Sequence, residues 1–262
     1  DFGLSTTQTG ELDVDALRER FEQTFLRAWR GDCESDDFNR LVMLAGLEWR
    51  DVTILRAYAR YMKQAAFTFS QAYIERTLAA HPSIAAALVS LFRARFDPSA
   101  DEGRAAREAA VEAQIDAALE QVSSLDEDRI LRQYLALIRA TLRTNFYRAD
   151  GDGPRADCLS LKLDPTRIPL LPEPRPMFEI FVYSPRVEGV HLRGGKVARG
   201  GLRWSDRIED YRTEVLGLVK AQQVKNAVIV PVGSKGGFVL SRPPSSGGRD
   251  ALQAEAVACY QT

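Results

Sequence analysis

The chain has 262 residues, 45% hydrophobic and 27% charged, a composition that fits a globular protein long enough to bury a sizeable core. Lys plus Arg number 35 against 36 Asp plus Glu, a net charge of −1, which argues against a general nucleic-acid or membrane-surface binder; no run of 18 apolar residues offers a membrane span. Three separated cysteines (Cys33, Cys158, Cys259) and two distant histidines (His81, His191) make neither a disulfide framework nor a metal set, so no metal and a reducing, cytoplasmic setting are expected.

Residues 1–150 read as an all-α helical domain. Over 13–30, Leu17, Phe21 and Phe25 share one face with charges opposite. Residues 51–67 repeat that period with Ile54, Leu55, Tyr58 and Tyr61 or Met62. A mostly buried helix follows Pro82, and the alanine-rich stretch 102–122 is helical by propensity. Ser124 and Glu127 predict a capping box opening a helix over 128–147. Gly, Pro, Ser and Asp mark breaks near 31–36, 97–101 and 122–125, and no fixed-period repeat is visible.

Residues 151–176 read as a Pro/Gly-rich linker carrying a strand. The lettering "GDGPRA" (151–156) matches a dinucleotide-binding turn only as text, because it follows a helix and contains a proline. "CLSLKL" (158–163) alternates as a strand, and Pro165, Pro169, Pro172, Pro174 and Pro176 hold an extended link. Residues 177–262 read as a partial α/β substrate-binding domain. There 177–185 and 187–195 alternate and pair as a hairpin about Ser184–Arg186, and a helix runs from about Arg207 to Lys225. A strand follows over 227–232, then a loop over 241–250 and the start of another helix. The expected fold class is mixed: an all-α domain followed by an α/β domain. The chain opens without methionine and stops in mid-pattern, so it reads as a piece of something longer.

The chemistry concentrates in 196–240. Ile208, Tyr211, Val215, Leu218 and Gln222 fall on one helical stripe, with Lys225 three residues further. The four apolar members should face the core. The polar pair either frays into water, with Lys225 snorkelling, or is buried and partnered. "NAVIVPVGSKGGFVL" (226–240) carries an apolar run to Lys235, set between Gly233 and Gly236-Gly237. This is either a surface turn with a solvated lysine or a ligand loop at the carboxyl end of a covered strand. "KVARGGLRWSDR" (196–207) is a second Gly-Gly loop, flanked by Arg199 and Arg203; at least one arginine should pair with Asp206, Glu209 or Asp210. Two such loops, joined by a helix bearing a third cation, suit a small, multiply anionic ligand. "GSKGG" lacks the spacing and hydroxyl of the nucleotide phosphate loop.

"ARGGLRWSDRIEDYRTEVLGLVKAQQVKNAVIVPVGSKGGF" (198–238) resembles the substrate domain of glutamate dehydrogenases, and is most similar to the very large bacterial NAD-dependent class. The likeness covers 178–240 and extends to 262, and residues 1–150 resemble the helical region preceding the catalytic part in that class. It implies oxidative deamination of L-glutamate to 2-oxoglutarate and ammonia. Lys235 then matches the catalytic lysine, Lys225 a lysine on the carboxylate and carbonyl end, and Gln222 a glutamine on the α-carboxylate. Arg199, followed by Gly200 and Gly201, stands where the common family places a lysine for the distal carboxylate; Arg and Lys differ in geometry, and Lys196 is a second candidate for that role. The stretch from Lys225 to Lys235 is about two residues shorter than in small members. The resemblance further implies NAD as cofactor, held by a domain absent from this chain together with the catalytic aspartate. It also implies a homo-oligomer, and a fragment inactive alone. From the residues alone, a non-enzymatic helical scaffold or regulatory module with a degenerate anion site, or a phosphate-binding domain, stands as the alternative.

Overall fold

The computed structural model describes residues 14–99, 102–148, 158–225 and 232–262. Helices come first: α1 (Val14–Arg30), α2 (Arg40–Leu44), α3 (Trp49–Gln64), α4 (Gln71–Ala80), α5 (Pro82–Phe96), α6 (Arg104–Leu119) and α7 (Leu125–Ala140). Their starts follow local chemistry. Glu48 and Asp51 cap α3 reciprocally, Ser70 accepts from the Tyr73 N–H at the head of α4, and Pro82 occupies the first turn of α5. At α7 the expected box is half made. Ser124 Oγ accepts from the Glu127 N–H at 3.4 Å, but the Glu127 carboxylate meets His81 Nε2 at 2.9 Å instead of returning to its own cap.

Leu17, Phe21 and Phe25 share a face of α1 as expected: Leu17 and Phe21 are half-buried, Phe21, Phe25 and Trp29 stack on one another at 6.4 and 6.3 Å, and Phe25 is 49% and Trp29 81% exposed. One helical expectation changes. The helix expected to reach residue 147 stops at Ala140 and continues as strand β1 (Thr141–Thr144). Tertiary pairing outweighs helical propensity here. Thr141 Oγ1 bonds the Leu137 carbonyl at 2.8 Å and the buried Tyr58 hydroxyl at 2.7 Å, while Thr144 pairs with Leu161.

The remaining strands are β2 (Leu159–Leu163), β3 (Phe178–Tyr183), β4 (Val187–Arg193), β5 (Ala198–Arg199), β6 (Leu202–Trp204) and β7 (Val232–Leu240), with α8 (Tyr211–Lys225) before β7 and α9 (Gly248–Gln261) after it. Among the described residues they form one seven-stranded sheet in the order β1-β2-β3-β4-β7-β5, with β6 also on β7. The β3–β4 hairpin turns about Ser184–Arg186 as expected, and β1 to β4 run antiparallel into β7. β5 and β6 lie parallel to β7, which makes β6–α8–β7 a crossover unit. The proline stretch contains a short 3-10 turn, Pro165–Arg167, and tucks Ile168 and Leu171 into the core.

Period-two alternation assigns the faces. Leu159, Leu161 and Leu163, then Phe181 and Tyr183, then Val190 and Leu192, all lie on the face covered by helices, and with buried residues of α3, α5 and α7 they make one continuous core. Tyr61 of α3 meets Phe181 edge-on at 5.4 Å. At one end of the opposite face α9 seats Ala256 and Cys259 against Val187 and Leu240. No single helix among the described residues is long and apolar enough to cross a membrane.

Candidate functional site

The two glycine stretches meet as partners on neighbouring strands. Ala198 pairs with Val232 and Arg199 with Gly233; Leu202 pairs with Gly236 and Arg203 with Gly237. The offset is 34 residues on both sides of the break (232 − 198 and 236 − 202), so Gly200-Gly201 lies opposite Ser234-Lys235. The Gly236 N–H closes the gap by donating to the Gly201 carbonyl at 3.1 Å. This approach needs bare backbone: a Cβ on Gly200 would stand 1.4 Å from the Ser234 carbonyl oxygen. The expected loop around Lys235 is therefore itself strand, the opening part of β7. The strand expected over 227–232 falls largely on 226–231, outside the described residues, as does the 151–156 lettering.

Helix α8 lies over this junction. Its buried stripe is Tyr211, Val215, Leu216 and Val219. Ile208, expected on that stripe, precedes the helix and is 46% exposed. Leu218 and Gln222 are half-buried. Gln222 sits directly on Gly233, where a Cβ would come within 2.5 Å of its amide carbon and oxygen. Its Nε2 donates to the Arg199 carbonyl at 3.3 Å, and its Oε1 is buried without a hydrogen-bond partner among the described residues. Lys235 alternates with Gly233 and Gly237 on the α8 side of β7, is half-buried, and its side chain forms no hydrogen bond or ion pair among the described residues. The Arg199 side chain is exposed. Lys225 closes α8, and its side chain lies outside what the structure describes. The structure thus brings Arg199, Gly200, Gly201, Gln222 and Lys235 to one junction of β5, β7 and α8.

The flanking arginines are engaged. Arg203 Nη1 reaches Glu214 at 3.2 Å, Glu214 also accepts from Ser205 Oγ at 2.6 Å, and Arg207 pairs with Asp210 through Nε at 2.9 Å. Arg199 and Lys235, with the exposed Lys196, are cations of these two stretches whose side chains have no hydrogen-bond or ion-pair partner among the described residues.

Two charged features behind the site were not read from the sequence. Arg212, in the first turn of α8, grips Glu179 of β3 through Nε and Nη2 at 2.6 and 2.7 Å, with side chains 3% and 0% exposed. Burial opposes the Arg212 charge, and Glu179 more than restores it. Glu188 of β4 is buried beside Arg60 of α3, and burial pushes its carboxyl up to about 7. The signal was present: both acids stand at core-facing positions of alternating strands, where an apolar residue is the norm.

The family model for the catalytic domain of bacterial NAD-glutamate dehydrogenase matches residues 114–262, more than half the chain. The chain belongs to the bacterial NAD-glutamate dehydrogenase family. The glutamate dehydrogenase helical motif 3 matches residues 33–98. The chain is similar to NAD-specific glutamate dehydrogenases of Halomonas elongata (56% identical over 261 residues) and Pseudomonas aeruginosa (57% over 264), each match covering 100% of this chain. A third, from Mycobacterium tuberculosis, is 55% identical over 94% of the chain. The chain spans only 16% of the length of these relatives. Within the dehydrogenase frame the catalytic match begins inside α6, so α7 and the sheet it packs against fall in one catalytic unit.

Proposed function

We propose that the full-length protein is an NAD-dependent glutamate dehydrogenase, oxidising L-glutamate to 2-oxoglutarate and ammonia, and that this chain contributes its substrate end. The observation that carries the reading is the register match that sets Gly200-Gly201 against Ser234-Lys235, with Gln222 lodged at Gly233. A dicarboxylate needs a cation toward each end to offset the loss of water. Arg199 would take the distal carboxylate, with the bare backbone of Gly200 and Gly201 allowing close approach. Gln222 and Lys225 would take the α-carboxylate end. Lys235, held on a strand rather than a loop, would give and take the proton at the substrate oxygen.

NAD, when bound, would supply the hydride acceptor. The assignment carries with it amino-acid catabolism in the cytoplasm by a homo-oligomer, and a chain that is inactive alone. The test is glutamate-dependent NADH formation by the full-length protein and its Lys235→Ala variant. The expected loss is at least about 10²-fold, in the range for removal of a general acid–base. A near-normal rate in that variant overturns the role of Lys235.

A further inference from the structure

Gln222 keeps its seat on Gly233 and the Arg199 carbonyl only if α8 is held at one height over β7. The apolar burial between the two does not by itself set that height. Tyr211, Val215, Leu216 and Val219 bury apolar surface, and apolar burial is non-directional. Yet the tolerance at the far end is small, since Gln222 already touches Gly233 with no room for a methyl group. A slip of one residue moves a helix about 1.5 Å and turns it about 100°, which takes the Gln222 amide off Gly233 and away from the Arg199 carbonyl.

A second directional contact, and a buried one, lies at the other end of the helix. Arg212 binds both oxygens of Glu179 at 2.6 and 2.7 Å. Glu179 pairs with Leu192, and Leu192 pairs with Lys235, so the acid stands in the same cross-strand row as the lysine. Gln64 of α3 steadies the same turn: its Nε2 donates to the Ile208 carbonyl at 2.8 Å, and its Oε1 accepts from the Arg212 N–H at 3.4 Å. The Arg212 guanidinium also lies 6.0 Å from the Tyr61 ring centre. A desolvated ion pair gives little net stability over an apolar pair of like volume, but its fork geometry is exacting.

We propose that Arg212 and Glu179 are positioning residues for the dehydrogenase reaction, fixing the axial register of α8 so that Gln222 faces the strand carrying Lys235. This rests on the function proposed above. The test replaces the pair by apolar residues, Arg212→Met with Glu179→Leu, in the full-length protein, alongside Arg212→Lys. Melting temperature, kcat and KM for glutamate and NAD are measured. The expected result is a retained melting transition, a kcat lower by about 10²-fold, as for a misplacement near 1 Å, and an unchanged KM for NAD. Arg212→Lys, which keeps the charge and loses the fork, should fall between the double variant and wild type. A folded double variant with kcat within twofold of wild type overturns the proposal. If the double variant does not fold, Arg212→Lys decides: wild-type kcat overturns it, and a tenfold loss at intact melting supports it. A wild-type protein that forms no NADH from glutamate counts against the assigned reaction instead.

Discussion

Glu188 and Glu34 compete for one guanidinium. Arg60 gives Nη2 to Glu34 at 2.6 Å and only Nε, at 3.6 Å, to Glu188. Burial raises the Glu188 carboxyl first of all; Arg60 lowers it less, Glu34 raises it, and Lys63 and Glu209 act from further off. A folded value of about 7 against the ordinary 4.5 means that the folded state holds this proton more tightly. The contribution to stability is fully present below about 4.5 and is lost as pH rises through about 7, a swing on the order of 3 kcal/mol. Glu188→Gln should flatten the urea midpoint between those values and raise it at pH 8; a variant that keeps the wild-type slope contradicts this. At the junction itself, Gly233→Ala would press a methyl group into the Gln222 amide. Overpacking of that kind costs about 1–3 kcal/mol, and glutamate oxidation should drop by more than the melting temperature alone explains, since Gln222 must turn away.

At the level of elements, most of the chain was legible because local rules and tertiary demands agree. The hairpin of β3 and β4 and the strand β2 follow from period-two alternation, and α3, α5 and α8 from their apolar stripes. Disagreement marks the exceptions. Residues 141–144 have helix-compatible neighbours but become β1, because Thr141 and the edge of β2 supply partners a helix could not. Glu127 leaves its capping role for the His81 ring, which stands between α4 and α5 and offers Nε2 at 2.9 Å. Ser124 therefore caps α7 by itself. Ser124→Ala should cost about 1 kcal/mol by denaturant unfolding, whereas Glu127→Gln should cost little at the cap and act through the His81 contact. A cost below a few tenths for Ser124→Ala would show that α7 is held by packing and not by its cap.

At the scale of the whole molecule, the helices and the sheet share one core. Leu161, Leu163, Phe181, Val190 and Leu192 face buried residues of α3, α5 and α7 with no boundary between them. Expression of residues 141–262 alone should give an aggregating or loosely packed product, because that apolar face would meet water; a monomer with sharp cooperative melting would contradict the shared core. The same unity explains how far reading the residues in order could go. Composition, period and glycine placement determined the helices-then-sheet order and picked out Arg199, Gly200, Gly201, Gln222, Lys225 and Lys235, because these depend on spacing within one segment. Only the tertiary structure decided that the two glycine stretches are register partners at an offset of 34, that Gln222 rests on Gly233, and that Arg212 reaches Glu179 across the sheet. Those are contacts between segments far apart in the chain, and pairing of that kind is set by which faces bury together, a choice that no local window contains.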